Sequence, residues 1–138
     1  MECELCAGSG GIVLWQDDFL RVVRVDESGY AGFCRVILQR HVAEMTDLPL
    51  AERERLMSAV WIVEGVLRRL YSPLKINLAS LGNLVPHLHW HVIPRFSDDP
   101  HFPQPIWTMA LRQPISRQSI NDELLCAVLD ESMREYGQ

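Results

Sequence analysis

Residues 87–92 read His-Leu-His-Trp-His-Val, a strict alternation of imidazole and apolar side chains. A period of two is the period of a β-strand, where positions i, i+2 and i+4 share one face about 7 Å apart. On a helix the same spacing would scatter the three histidines around the barrel. The segment is therefore expected as a half-buried strand over 87–93, bracketed by Pro86 and Pro94. Leu88, Trp90 and Val92 would face a core, and His87, His89 and His91 would form a row on the other face. A strand of this kind needs partner strands and a core layer behind it.

The rest of the chain supplies them. Residues 12–15, 19–25 and 33–38 are short apolar or β-branched runs separated by turn residues, and 75–81 is another such run. Short connections between the first three favour antiparallel pairing. Between the strands, 49–71 reads as one long helix: Leu56, Val60, Val63, Leu67 and Leu70 form a single stripe at spacings of three and four. Thr46 or Asp47 can cap it, Pro49 suits its first turn, and Pro73 ends it. A last helix is expected over 119–135. These elements spell an α+β fold, an antiparallel sheet of about five strands with one long and one C-terminal helix. At 138 residues the expectation is a single domain, 1–138. Residues 1–11 would be a Cys-bearing N-terminal segment and 108–138 a helical extension.

Charge narrows the partners. Thirteen Lys and Arg against 18 Asp and Glu leave a net charge of −5, and Lys75 is the one lysine. Duplex nucleic acid and anionic membranes bind basic surfaces, so neither is expected as a partner. No uncharged apolar run approaches the 18 residues of a transmembrane helix. The acidic, polar start Met-Glu-Cys-Glu does not read as a secretory signal, which with four cysteines points to a reducing cytoplasm. A small anionic ligand fits this charge balance only through a local pocket.

The histidine row offers such a pocket two chemistries. A neutral imidazole is a good nucleophile near pH 7, and neighbouring ring N–H groups stabilise charge growing on a phosphate. Alternatively, three histidines can hold an open zinc site that activates water. Cys3 and Cys6 form a C-x-x-C without the preceding strand of a thioredoxin motif, which leaves a metal half-site or two free thiols. Cys34 and Cys126 read as small core residues. Trp107, in a Pro-rich loop, reads as a packing aromatic. Arg95 reads as a solvated strand-end side chain or one facing a phosphate. The Trp61, Val63 and Val66 side of the long helix is broad for one sheet contact and hints at a dimer face.

His87-Leu88-His89-Trp90-His91-Val92-Ile93 resembles the signature of the histidine triad (HIT) family, and Pro94-Arg95 continues it. The likeness extends through Gln16-Asp17-Asp18, Val25-Asp26, Arg40-His41 and the Asn77 to Gly82 segment, most of residues 3–107. It implies a nucleotidyl hydrolase or transferase acting on a nucleotide conjugate, a dinucleoside polyphosphate or a nucleoside phosphoramidate. His89 would attack the α-phosphorus to form a covalent nucleotidyl-histidine, which water opens to release the monophosphate. His91 would stabilise the phosphate and His87 support the site, and Trp107 would stand in a region that family members use near the nucleotide, as a wall over the base or phosphate tail. Asp26 would hold the ribose hydroxyls, with Asn77 and Asn83 as further substrate-binding residues. The resemblance also implies a structural zinc on Cys3, Cys6, His41 and His87, no metal in the chemical step, and a homodimer. Several features depart from the family pattern: Gly82-Asn83-Leu84 stands where many members have Gly-Gln-Ser/Thr, Phe33 stands where another histidine is usual, and the Asp26 to Gly32 turn and the Asn77 to Gly82 loop are each one residue short. They motivate an alternative, a nucleotide-binding protein with little turnover, beside the metal-dependent hydrolase.

Overall fold

A computed structural model describes residues 2–117 and 120–136. Five strands form one sheet: β1 (Ile12–Gln16), β2 (Leu20–Arg24), β3 (Cys34–Leu38), β4 (Lys75–Ala79) and β5 (His89–Arg95). Their spatial order is β1-β2-β3-β5-β4, and every neighbouring pair is antiparallel. Three helices accompany them: α1 (Glu4–Ala7), α2 (Leu50–Tyr71) and α3 (Asp122–Ser132). The α+β fold with a five-stranded antiparallel sheet is the one the alternation and the helix stripe called for.

Local chemistry explains the elements. The β1–β2 hairpin turns at Asp17, whose Oδ1 accepts from the Phe19 and Leu20 amides at 2.9 and 2.8 Å. Neither Thr46 nor Asp47 caps α2. Both sit in a 3₁₀ turn, Met45–Asp47, and the Glu52 and Arg53 amides in the first turn of α2 donate to Pro49 O instead. The helix closes at Ser72 in a left-handed conformation, φ 46°. The final helix is shorter than expected: Asn121 caps it by accepting from the Leu124 amide at 2.9 Å, and a 3₁₀ turn, Met133–Glu135, finishes it. Ser119, its expected start, lies outside the described residues.

One sheet face carries Leu20, Val22, Cys34, Val36, Leu38, Ile76 and Val92, all packed beneath α2 and α3. Leu56, Ala59, Val60, Val63, Val66 and Leu67 of α2 are buried there. Each buried Leu or Val side chain among them stabilises the fold by about 1.5–3 kcal/mol. Val63 and Val66 thus belong to the core, and of the three residues expected at a dimer face only Trp61 is exposed, at 59%. Cys34 is a core residue as expected, its thiol pushed up to about 12 by burial, and Cys126 is partly buried against the same core. On the same face, Arg24 of β2 makes a two-bond ion pair with Asp122 of α3, at 2.7 and 3.0 Å. Among the described residues no helix is long and apolar enough to cross a membrane.

The histidine strand is displaced by two residues from its expected bounds. His87 precedes β5, its amide bonded to Val85 O in a tight turn, and Pro94 lies inside the strand rather than ending it. The ladder tolerates Pro94 for a geometric reason. The Leu74 amide donates to Arg95 O, so the main chain of Arg95 faces β4 and that of Pro94 faces the other way. On that side β3 has already ended, its last pair being Cys34 with Val92. The missing N–H of proline therefore costs no ladder bond.

Candidate active site

The sheet face opposite α2 and α3 carries the chemistry. Pairing of Ile37 with His89 and of Arg35 with His91 puts these four side chains on one surface, with Arg21 and Val23 beside them on β2. Ile93 and Arg95 continue the row along β5. His89 and His91 are 8% and 5% exposed, their rings 4.9 Å apart and nearly perpendicular.

His89 Nδ1 lies 2.6 Å from the carbonyl oxygen of His87. Only an N–H can satisfy that oxygen, so Nδ1 carries the proton and Nε2 keeps its lone pair. The His89 carbonyl is in turn fixed by the Ser80 hydroxyl at 2.8 Å. An imidazole held from behind with a free Nε2 is the arrangement a nitrogen nucleophile requires.

His91 is a different group. Burial, and then the charges of His89 and Arg35, push its pKa down to about 4, so it is neutral across the physiological range. Its Nδ1 is buried with no acceptor or donor in the protein. Phe33 and Trp107 flank the ring edge-on, at 5.8 and 4.9 Å. Trp107 remains 48% exposed, so it forms part of the wall of the site rather than a core contact.

His87 faces elsewhere. Its Nε2–H donates to Leu38 O at 2.6 Å, which leaves a lone pair on Nδ1. Around that nitrogen stand Cys3 Sγ at 3.4 Å, Cys6 Sγ at 3.5 Å and His41 Nδ1 at 3.2 Å. All four ligand atoms lie within 4.8 Å of one another, the one such group of three or more His, Cys, Asp or Glu among the described residues. Local folding explains the convergence. The Cys6 and Ala7 amides donate to Cys3 O, wrapping the C-x-x-C into the single turn of α1. Leu5 then packs on Val23 and Ile37. Arg21 clamps the segment through the carbonyls of Leu5, Gly8 and Ser9 at 2.7, 3.1 and 2.8 Å. Gly10, at φ +80°, passes so close to the sheet that a Cβ would meet Leu5 at 2.7 Å and Ile37 at 2.8 Å. Burial holds the His87 pKa below the usual histidine value, with His41, Arg21 and His89 adding to the effect against the Leu38 carbonyl. The donor set, two thiols and two imidazoles with the His87 lone pair aimed by the Leu38 carbonyl behind it, fits a closed tetrahedral metal site. With both its ring nitrogens so committed, His87 does not join His89 and His91 in a three-histidine cluster.

The other expected site residues are dispersed. Asn77 shares the functional face, its Oδ1 accepting from Arg95 at 2.7 Å. Asn83 is exposed in the loop before His87, next to Leu84, which is 96% exposed. Asp26 is exposed in the β2–β3 turn, on a cavity of about 700 Å³ that includes Tyr30, Tyr71 and Asn121 but no triad histidine. Arg95 matches neither expectation. It is 2% exposed and paired with Asp99 at 2.8 Å, so it is neither solvated nor free for phosphate. Arg21 and Arg35 on this face were not singled out from the sequence. Each stands mid-strand among apolar neighbours, which was the available signal.

A family model described as the HIT domain matches residues 10–98. The bis(5'-nucleosyl)-tetraphosphatase [asymmetrical] of Schizosaccharomyces pombe is 34% identical over 73 residues, covering 49% of this chain and 40% of that protein. The chain thus spans less than half the length of that curated relative. A histidine triad protein from Bradyrhizobium japonicum superimposes with a TM-score of 0.73 at 26% identity, over 90% of this chain and 91% of that one. A Zn-bound histidine triad family protein from Mycobacterium smegmatis gives 0.60 at 21%, over 96% and 94%. The span matched by the family model runs from β1 through β5 and contains four of the five histidines, including the whole alternating row. This chain belongs to the HIT domain family.

Proposed function

We propose that the protein is a nucleotidyl hydrolase or transferase that works through a nucleotidyl-histidine on His89. The observation that carries this reading is the 2.6 Å contact of His89 Nδ1 with His87 O, which presents Nε2 as the nucleophile. Nε2 attacks the α-phosphorus of a nucleotide conjugate, a P–N bond forms, and the bond to the leaving group breaks with its electron pair departing on that group. The positive charge that develops on the ring is stabilised by the His87 carbonyl. Water then attacks the same phosphorus, releases the nucleoside monophosphate and returns the pair to Nε2. His91, neutral beside it, presents a ring N–H to a phosphate oxygen. Asp26, Asn77 and Asn83 are assigned to the substrate on family likeness alone. The likeness to a bis(5'-nucleosyl)-tetraphosphatase supports the reaction class.

Zinc on Cys3, Cys6, His41 and His87 is part of the same reading, supported by the converging donors and by the Zn-bound relative. Its contribution would be structural: it would tie α1 to the start of β5, and so hold the His87 carbonyl that orients His89. A homodimer is proposed too, through exposed Trp61 and the open edge of β4.

The test is intact-mass analysis of wild type and His89→Gly after brief exposure to adenosine polyphosphates and phosphoramidates. A nucleotidyl adduct in wild type that is absent from the variant is expected. No adduct and no turnover across the panel would remove the enzymatic reading. A second reading, nucleotide binding with little turnover, is favoured by Phe33 against His91. It predicts that His89→Ala leaves both binding and residual turnover as they were.

A further inference from the structure

Three arginines lie on the functional face, and two of them are fully engaged. Arg95 is neutralised by Asp99, and Arg21 spends its guanidinium on three carbonyls and the Gln39 side chain. Arg35 is the exception. It sits half-buried in the middle of β3, directly opposite His91 in the strand register. One Nη1–H donates to Gly10 O at 3.1 Å, while its Nε is buried without any acceptor. Among the described residues no carboxylate stands within ion-pair distance, Glu4 and Glu27 acting only from further away.

A guanidinium half-removed from water with neither counter-ion nor full hydrogen bonding is costly, and an anion that supplies both removes the cost. The neighbouring His91 Nδ1 is likewise buried and unpaired. Residues directly opposite on antiparallel strands have Cα atoms about 4.5–5.5 Å apart, so the two orphaned nitrogens belong to adjacent side chains on one surface. In a chain of net charge −5, this is unpaired positive charge placed beside the nucleophile's row.

We propose that Arg35 is a specificity-determining residue: it binds a second, non-reacting phosphate of the substrate, so that polyphosphate conjugates are preferred over phosphoramidates. The proposal rests on the His89 reading for the position of the reacting phosphate. A phosphoramidate with an uncharged amine carries its anionic charge on the phosphate at His89 and His91 and offers nothing to Arg35. A polyphosphate chain carries further anionic oxygens past His91, where the planar fork of Arg35 can donate to two of them.

The experiment compares inorganic tripolyphosphate with orthophosphate by titration calorimetry on the full chain. Wild type should bind tripolyphosphate more tightly. Arg35→Leu should weaken tripolyphosphate by roughly 10- to 100-fold and orthophosphate by less than about threefold, as expected for loss of a charge-assisted contact. Arg35→Lys keeps the charge without the fork and should fall between; Arg35→Gln serves if the leucine variant does not fold. Arg68→Leu, which removes the same charge from the exposed end of α2, should bind like wild type. Equal weakening of both anions by Arg35→Leu, no preference for tripolyphosphate in wild type, or the same loss from Arg68→Leu would overturn the proposal. Adduct formation on His89 with adenosine triphosphate is scored separately. Arg35-dependent tripolyphosphate binding without an adduct would keep the anion site and remove the proposed reaction. An adduct with Arg35-independent binding would do the reverse.

Discussion

Asp99 should be the most expensive carboxylate in the molecule to lose, and the structure allows the loss to be sized in two ways. It is 2% exposed and accepts from Arg95 Nε and Nη2 at 2.8 and 3.0 Å. It also accepts from the Phe96, His101 and Phe102 amides at 3.1, 3.1 and 2.7 Å, and from the Tyr30 hydroxyl at 3.3 Å. These donors outweigh the cost of burial and hold its pKa at about 2, against 3.8. Each pKa unit is worth about 1.4 kcal/mol, so ionised Asp99 contributes roughly 2–2.5 kcal/mol at pH 7. Breaking a buried pair by removing one partner costs about 3–5 kcal/mol, because the other charge stays buried. Asp99→Asn keeps the shape and one acceptor, so a loss of about 2–4 kcal/mol is expected in urea unfolding followed by circular dichroism. The sign with pH is set by the depressed value: the contribution is complete above pH 5, falls to about half by pH 3, and vanishes below pH 2. The gap between wild type and variant should shrink accordingly. The same substitution should loosen the loop that delivers Trp107 to His91, since Arg95 also holds Gln104 O at 2.7 Å. A gap under 1 kcal/mol at pH 7, or one unchanged between pH 7 and pH 3, would refute the reasoning.

Chelation followed by thermal unfolding should lower the midpoint of wild type by several degrees and leave Cys3→Ser/Cys6→Ser unaffected; equal responses would count against the metal cluster. The His91 ring should titrate by NMR near pH 4. Because its folded pKa lies below the unfolded value of about 6.5, His91 destabilises the fold progressively as pH falls from 6.5 to 4, by at most about 3 kcal/mol, and a midpoint near 6.5 would sink the account. Trp61→Arg should halve the mass seen by light scattering if the exposed α2 face forms the dimer, and a wild-type monomer would dispose of that dimer outright.

The alternation at 87–92 made a half-buried strand and an antiparallel sheet legible, because a period of two admits little else. The α2 stripe was legible for the same reason, being a pattern of nearest neighbours along one element. Capping and strand ends were less so. Asp47 and Pro94 are read by local rules, whereas a 3₁₀ turn claims Asp47 and the early end of β3 makes room for Pro94. The alternation also suggested three equivalent histidines, and it could not show that they part company. His87 is drawn to Leu38 O and the two cysteines by contacts 49 to 84 residues away in the chain.

Sequence alone determined the kind of sheet, the family likeness and the set of residue types able to bind metal or attack phosphorus. Tertiary structure decided which nitrogen of His89 is free, that Arg95 is cancelled by Asp99 while Arg35 is not, and that Val63 and Val66 are core. The physical reason is range. Periodicity reports which side of its own element a residue faces. Protonation, pairing and burial depend on what a distant segment places against that side.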